Sequence, residues 1–194
     1  MDNLVSNSYW ASPHKLLAGS HPSWLKLPMI LEPFKVPTLA ESINHRNQDL
    51  RHTLQHLLHI GVRVFIDLTQ AYEFSSYEKV VLEEATTLNL SQPVNYYRQA
   101  IKDRSVTTPM QMQQILDIID AANRSEQAVY VHCMAGVGRI GTVVGCYLVR
   151  HGLMGIEALA EINRLRANLP MAALLSSPST EEQRQMVLDW TIGQ

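Results

Sequence analysis

Apolar positions along the chain alternate between the spacing of amphipathic helices and the uninterrupted runs of buried strands. Apolar side chains that recur every three or four residues predict helices at Asn47 to Ile60, Ser75 to about Leu90, Thr108 to about Ala122, Arg139 to about His151, Ile156 to Arg166 and Thr180 to Trp190. Short runs of β-favouring residues predict strands at Val62 to Leu68, Val94 to Gln99 and Ala128 to His132. Strands that alternate with helices favour an α/β fold with a central, mostly parallel β-sheet flanked by helices.

Capping signals support two of these helix starts. Ser75 followed by Glu78 has the spacing of a capping box, in which the two residues satisfy each other's backbone N–H groups. Thr108, Pro109 and Gln111 combine a cap residue, a proline at the first helical position and a second capping-box spacing. Both helices are therefore expected to begin at these residues.

Length and composition predict one domain over residues 1–194. The chain is 46% hydrophobic and has a formal net charge of −2, so neither nucleic acid nor an anionic membrane is expected as a partner. Only two cysteines occur, Cys133 and Cys146, which favours a reducing, cytoplasmic environment over a secreted disulfide framework. No apolar run has the length of a membrane span. The apolar residues from Met1 to about Pro37 follow no sustained periodicity, and we interpret this segment as an irregular segment that packs on the domain and contains a short strand.

Candidate chemistry concentrates where the strand that ends at His132 meets the next helix. The connecting sequence is Cys133-Met-Ala-Gly-Val-Gly-Arg139. Backbone N–H groups of such a loop can surround a phosphate, and Gly136 and Gly138 permit the close approach. The helix N-terminus adds positive potential, and Arg139 can supply a planar pair of donors. The same field favours the thiolate form of Cys133, so that one loop carries a nucleophile and an anion site.

These residues resemble the signature His-Cys-x-x-Gly-x-x-Arg of the protein tyrosine phosphatase superfamily, and the chain looks like its small dual-specificity branch. The matching positions are His132, Cys133, Ala135, Gly136, Gly138, Arg139 and Gly141. The resemblance extends to Tyr9 through Pro22, Val64 through Thr69, Val143 through Gly152 and Ser177 through Trp190. It implies hydrolysis of phosphate monoesters through a phosphocysteine on Cys133. The phosphate would be bound by Arg139 and by the backbone of Met134, Ala135, Gly136, Val137 and Gly138.

Expulsion of the leaving group needs a proton donor, and Asp103 is our candidate. It lies between a predicted strand and a capped helix, where a loop can bring it over the phosphate, and it matches the acid position of the family. As a carboxylate it would then deprotonate the water that hydrolyses the phosphocysteine. The family often has a proline four residues later, whereas this chain has Thr107 there. Asp67 and Glu73 are weaker candidates for the same role.

Three supporting positions follow from the resemblance. His132 matches a histidine that hydrogen-bonds within the loop and steadies the thiolate. Gln183 stands where relatives have a glutamine that orients the hydrolytic water, although an exposed helix amide is an equally good interpretation. Ile140 replaces the usual Ser or Thr, whose hydroxyl hydrogen-bonds the leaving sulfur. This substitution supports an alternative function, that of a catalytically weakened domain that binds phosphorylated partners.

The expected substrate is a phosphorylated protein or peptide, either phosphotyrosine-specific or dual-specificity. Met134, Ala135 and Val137 put no charge in the loop, which argues against inositol phosphates or RNA 5′ ends, though both stay open as alternatives. No cofactor and no metal is expected. His52, His56 and His59 share one face of a predicted helix and could hold zinc, but that face is expected to be the solvated one. Cys146 is interpreted as a packing residue, with a disulfide to oxidised Cys133 as the alternative.

Overall fold

The computed structural model describes residues 7–23 and 39–194, and of residues 39–46 it describes the backbone alone. Its strands are β1 (Tyr9–Ser12), β2 (Leu16–Gly19), β3 (Val62–Asp67), β4 (Asn95–Arg98) and β5 (Ala128–His132). Its helices are α1 (Leu39–His59), α2 (Glu78–Thr87), α3 (Pro109–Arg124), α4 (Gly138–Arg150), α5 (Gly155–Arg166) and α6 (Glu181–Asp189). No helix in these described ranges is both long and apolar enough to cross a membrane.

The strands form one sheet in the order β1-β2-β5-β3-β4. The β1 and β2 strands pair antiparallel, and the other three pairings are parallel. His132, at the end of β5, is in register with Gly19 of β2 and Asp67 of β3. The carboxyl ends of four strands therefore meet at one edge of the sheet, where α/β folds bind their ligands. This arrangement confirms the predicted α/β fold and its mostly parallel sheet.

Helices cover both faces of the sheet, because successive side chains of each strand point to opposite sides. Val129 and Val131 of β5 face one apolar cluster, to which α3, α4, α5 and α6 contribute. Ala128 and Tyr130 face a second cluster, which α1 and α2 cover. The central strand is thus buried on both faces, which explains its continuous run of apolar residues.

Two predicted helix starts are wrong. Helix α1 begins at Leu39, eight residues before the predicted Asn47, because the apolar stripe from which the start was predicted begins only at Leu50. Helix α2 begins at Glu78 behind Tyr77, which makes no side-chain cap bond. The capping box predicted for Ser75 does not form, and the backbone N–H of Glu78 instead donates to Ser76 Oγ at 3.2 Å.

The other predicted elements agree with the structure to within a few residues. At α3, the predicted cap is present, since the Thr108 side chain accepts from the backbone N–H of Gln111. The first segment contains two strands rather than one, and both contain four residues. Strands of this length are too short for periodicity to reveal.

Candidate active site

The loop from Cys133 to Arg139 joins the end of β5 to the first turn of α4, at the edge where the parallel strands end. Three of its carbonyl groups are held by residues outside the loop. The bonds run from His21 N to Met134 O (3.0 Å), from Asn7 Nδ2 to Ala135 O (2.5 Å) and from Ser177 Oγ to Val137 O (2.7 Å). In a trans peptide the C=O and the following N–H point in opposite directions. The N–H groups of Ala135, Gly136 and Gly138 therefore face the inside of the loop, as anion binding requires.

Gly136 is the tightest point of this loop. It has a φ of +71°, and an ideal Cβ at this position would lie 2.7 Å from both the Gly19 carbonyl carbon and the Ser20 nitrogen. A side chain would therefore collide with the backbone that follows β2 and would also strain the left-handed conformation. The parallel pairing of β2 with β5 is thus part of what shapes the loop.

The Cys133 thiol lies at the base of this loop and is 3% exposed. Met134, Ala135 and Gly138 remain partly exposed around it, so the loop opens to solvent above a buried sulfur. The helix that begins at Gly138 adds its positive N-terminal end to the same site.

Arg139 enters the site as an almost completely buried guanidinium. Glu73 binds it end-on, with Nη1 to Oε2 and Nη2 to Oε1 both at 2.8 Å. Nη1 also donates to the carbonyl of Ile101 at 3.1 Å. Burial lowers the pKa of Arg139, but the hydrogen bonds to Glu73 together with the charges of Cys133, Glu73 and Asp103 raise it overall. Nε is buried without a hydrogen-bond partner among the described residues. The edge formed by Nε and Nη2 is therefore the one available to a phosphate.

Asp103 lies beside that edge. Its Oδ1 is 3.2 Å from Nη2 of Arg139, and its side chain is 48% exposed. The loop after β4 thus brings this carboxyl to the arginine. A phosphate that binds Nη2 would displace Asp103 from the arginine and leave it beside the bound group.

Neither weaker candidate for the acid is placed to donate a proton. Asp67 is fully buried and accepts from Thr69 Oγ1 and Tyr96 OH, each at 2.6 Å, and from Arg98 Nη2 at 2.7 Å. Burial alone would raise the pKa of Asp67, but His132 and these donors lower it to about 2. Glu73 is occupied by Arg139. Asp67 therefore stabilises the edge of the sheet, and Glu73 orients the guanidinium of Arg139.

His132 lies behind the loop in this same network. Its Nε2 is 2.7 Å from Tyr77 OH, and its Nδ1 is 3.4 Å from the carbonyl oxygen of Cys133. Burial lowers the pKa of His132 to about 4, so the ring is neutral at pH 7. The expected hydrogen bond within the loop therefore reaches the backbone of Cys133.

The remaining singled-out residues divide between the site and the core. Ile140 is completely buried and belongs to the same apolar cluster as Cys133. Thr142 does not replace its missing hydroxyl, since Thr142 Oγ1 donates to Gly138 O at 3.2 Å. Gln183 is fully buried, so its interpretation as an exposed amide is wrong. Cys146 is buried in α4, and burial raises the pKa of its thiol, as suits a packing residue.

His52 and His59 lie on the exposed side of α1. Over the described part of the chain, no group of three or more His, Cys, Asp or Glu side chains is arranged to hold a metal ion.

The residues that sequence reasoning missed are Asn7, His21 and Ser177, which hold the loop carbonyls. Asn7 and Ser177 act on residues 128 and 40 positions away along the chain. No charge, spacing or motif marks them, and their only signal is that they lie in or beside segments that resemble the family.

A family model described as "Polymorphic toxin system, DSP-PTPase phosphatase" matches residues 41–153, which is more than half of the chain. The chain belongs to this family. This DSP-PTPase phosphatase is a small dual-specificity phosphatase-like member of the protein tyrosine phosphatase superfamily.

A curated relative and two solved structures agree with this assignment. The dual specificity protein phosphatase CDC14C of Homo sapiens is 38% identical over 68 residues, which cover 34% of this chain but only 14% of that protein. The structure of Tk-PTP in the active form matches with a TM-score of 0.66 at 20% identity, over 93% of each chain. PTPMT1 in complex with PI(5)P matches with a TM-score of 0.63 at 20% identity, over 94% of this chain and 93% of that one. At these identities the two structures show a shared fold.

Proposed function

We propose that this chain, as a single phosphatase domain, hydrolyses phosphate monoesters of phosphorylated proteins through a phosphocysteine intermediate on Cys133. The observation that carries the proposal is the site around the buried thiol. Loop N–H groups face inward above Cys133, and the Nε of Arg139 is buried without a partner among the described residues. A phosphate dianion would satisfy these donors and would place its phosphorus in line with the sulfur.

In the first step, the Cys133 thiolate attacks phosphorus, so that an S–P bond forms and the bond to the leaving oxygen breaks. Arg139 and the loop N–H groups bind the equatorial oxygens, on which charge is spread in the transition state. Asp103, displaced from Nη2 by the phosphate, donates a proton to the leaving oxygen. In the second step, Asp103 takes a proton from water, the water oxygen bonds to phosphorus, and Cys133 leaves as a thiolate.

Phosphoproteins are the proposed substrate because the partly exposed Met134 and Ala135 are neutral, and a polyanionic headgroup would find no cation in the loop besides Arg139. Lys102 and Arg104 flank Asp103 and are exposed, which suits a substrate segment with acidic residues. The relative CDC14C is named as a protein phosphatase. Both cysteines are free thiols, and we propose a reducing, cytoplasmic environment for them.

The test is steady-state turnover of p-nitrophenyl phosphate, followed by a panel of phosphotyrosine and phosphoserine peptides, PI(5)P, an inositol phosphate and a 5′-phosphorylated RNA. We expect turnover of the aryl phosphate and a higher kcat/KM for phosphopeptides than for the other compounds. Preference for an inositol compound or the RNA would replace the proposed substrate. Binding of phosphopeptides without any turnover would identify a binding domain instead of an enzyme.

Asp103→Asn is expected to slow the dephosphorylation of phosphotyrosine peptides about 10²- to 10⁴-fold, while kcat/KM for p-nitrophenyl phosphate falls far less. The peptide's phenolate is a poor leaving group that needs a proton, whereas p-nitrophenolate leaves with little help. The measurement is kcat/KM for both substrates. Asp117→Asn is the control, because Asp117 is exposed and pairs with Arg150 on another face of the protein. Equal losses on the two substrates would show that a different group is the acid.

Ile140→Thr is expected to raise the steady-state rate and diminish a pre-steady-state burst of p-nitrophenol. In this chain the sulfur of Cys133 leaves as a thiolate without the hydrogen bond that a Ser or Thr hydroxyl at position 140 would donate to it. Such a bond is worth about 1.5 to 3 kcal/mol, or roughly 10- to 150-fold in rate. Hydrolysis of the phosphocysteine should therefore limit turnover in the natural sequence, which is visible by stopped-flow absorbance.

Ile140→Val is the matched control for this experiment. Valine has nearly the shape of threonine but no hydroxyl, so it tests the effect of the smaller side chain in a completely buried position. We expect Ile140→Val to keep the burst. If Ile140→Thr and Ile140→Val behave alike, the hydroxyl does not act on the leaving sulfur.

A further inference from the structure

Gln183 has a fully buried side-chain amide whose oxygen and nitrogen both have partners. It lies in the first turn of α6, and its Oε1 accepts from Ser179 N at 3.1 Å, Ser179 Oγ at 3.0 Å and Thr180 N at 3.2 Å. Its Nε2 donates to the carbonyl of Ser105 at 3.0 Å. One amide thus connects the start of α6 to the loop that carries Asp103.

The same amide also lies against the phosphate loop. An ideal Cβ on Gly138 would be 2.9 Å from Oε1 and 3.3 Å from Nε2 of Gln183. Gln183 therefore contacts α6, the end of the loop around Cys133, and the loop of Asp103. Its amide oxygen is held by Ser179 and Thr180 at the start of α6, and the amide packs against Gly138 at the start of α4.

Asp103 itself is weakly held. It lies between two anchored residues, Ile101, whose N–H donates to Leu68 O at 3.0 Å, and Ser105, which accepts from Gln183. Its own contact is the 3.2 Å ion pair with Arg139 Nη2, from a side chain that is 48% exposed. A substrate phosphate would take that nitrogen. From then on, the Gln183 bond to Ser105 would be the side-chain bond nearest to Asp103 that ties the C-terminal side of its loop to another element, since the bond from Thr107 Oγ1 to Gln111 Oε1 lies two residues further on.

From this geometry we propose that Gln183 is a positioning residue, which holds the Asp103 loop over Arg139 while the leaving group is protonated. The inference rests on the proposed function, since it assigns Asp103 the role of the acid. It differs from the alternative that Gln183 orients the hydrolytic water. An amide oxygen that orients water by accepting its hydrogen bond needs a free lone pair, and Oε1 already accepts from three donors. Gln183 could therefore contact the hydrolytic water only through the second N–H of Nε2, whose first N–H bonds Ser105.

The test is Gln183→Met, which has a similar length and no charge but cannot donate to Ser105. The kcat/KM value reports steps up to the release of the leaving group, and kcat also includes hydrolysis of the phosphocysteine. We expect kcat/KM for a phosphotyrosine peptide to fall about tenfold more than kcat/KM for p-nitrophenyl phosphate. A fall in kcat alone, with both kcat/KM values unchanged, would assign Gln183 to the water and overturn the proposal.

Two control variants separate the effect of the hydrogen bond to Ser105 from the effect of the helix cap at Thr180. Thr180→Ala removes the hydroxyl that accepts from Gln183 N at 3.3 Å but leaves the bond to Ser105. Gln185→Met makes the same replacement on the exposed face of α6, where Gln185 bonds Asp189. Both variants should keep the wild-type ratio of the two kcat/KM values. If Thr180→Ala changes the ratio as much as Gln183→Met does, the effect belongs to the cap, and the proposal is wrong.

If the wild-type protein turns over no substrate, the proposed function is rejected, but the inference about Gln183 can still be tested. The test then uses a measurement that does not depend on catalysis. Lys102 and Arg104 are exposed trypsin cleavage sites on the loop that carries Asp103. We expect cleavage after these residues, followed by mass spectrometry, to be several-fold faster in Gln183→Met than in the wild type or Gln185→Met. Equal cleavage rates would show that Gln183 does not hold the loop.

Discussion

Replacement of Cys133 by serine is expected to reduce turnover of p-nitrophenyl phosphate by a factor on the order of 10⁴ or more, as loss of a nucleophile does in other enzymes. A serine hydroxyl in this loop is not ionised at neutral pH, and His132 is not free to act as its general base, because the ring bonds Tyr77 and the Cys133 carbonyl. Initial rates measure the loss.

Anion binding should survive the same substitution. The loop shape depends on Asn7, His21 and Ser177, which bond its carbonyl groups, and on Arg139, which Glu73 holds. None of these contacts involves the sulfur. Isothermal titration of Cys133→Ser with tungstate should therefore show binding comparable to that of the wild type.

Cys146→Ser is the control for this experiment. Cys146 is buried in α4, with its Sγ 4.0 Å from Met186 O, and follows Arg139 by about two helical turns. We expect it to retain turnover. Substantial activity in Cys133→Ser would rule out the phosphocysteine pathway.

Replacement of Arg139 by lysine is expected to have the second-largest effect, although the charge is kept. Glu73 binds Nη1 and Nη2 end-on and leaves the Nε and Nη2 edge to the phosphate. An ammonium group cannot satisfy a carboxylate and two phosphate oxygens in this fixed geometry. Loss of two charge-assisted hydrogen bonds, each worth about 1.5 to 3 kcal/mol, predicts a roughly 10²- to 10⁴-fold fall in kcat/KM.

Arg150→Lys is the matched control, because Arg150 lies on the same helix and pairs with Asp117 and Asp120 at 2.8 and 3.0 Å. It should keep the wild-type kcat/KM. The measurement is kcat/KM for p-nitrophenyl phosphate, with tungstate affinity as a second readout of the phosphate site. An unchanged kcat/KM in Arg139→Lys would mean that the arginine only supports the fold.

The central strand and its loop were predictable from sequence because their requirements are local. The strand at Ala128–His132 was predicted with its observed boundaries, since a strand buried on both faces has a continuous apolar run. The loop that follows brings Cys133 and Arg139 together through seven consecutive residues. Asp103 was predicted to lie over the phosphate from its place after a strand and from the family resemblance, and in the structure its Oδ1 is 3.2 Å from Arg139 Nη2.

The different positions of Asp67, Glu73 and Asp103 could not be predicted in this way. All three follow or end strands near the same edge, and their side chains are chemically alike. Packing buries Asp67 among four donor groups, pairs Glu73 with Arg139, and leaves Asp103 about half exposed. Which carboxyl can exchange a proton with a bound substrate depends on the surroundings of each side chain in the folded protein.

The sequence by itself determined the α/β class, the phosphate loop and the identity of the candidate nucleophile, because each depends on residues that are neighbours along the chain. The tertiary structure alone decided what shapes and orients that loop. Asn7 and Ser177 reach it from both ends of the chain, and Gln183 connects it to the loop of Asp103. These contacts are hydrogen bonds to backbone carbonyl groups, which every residue possesses, so no pattern of side chains in the sequence specifies them.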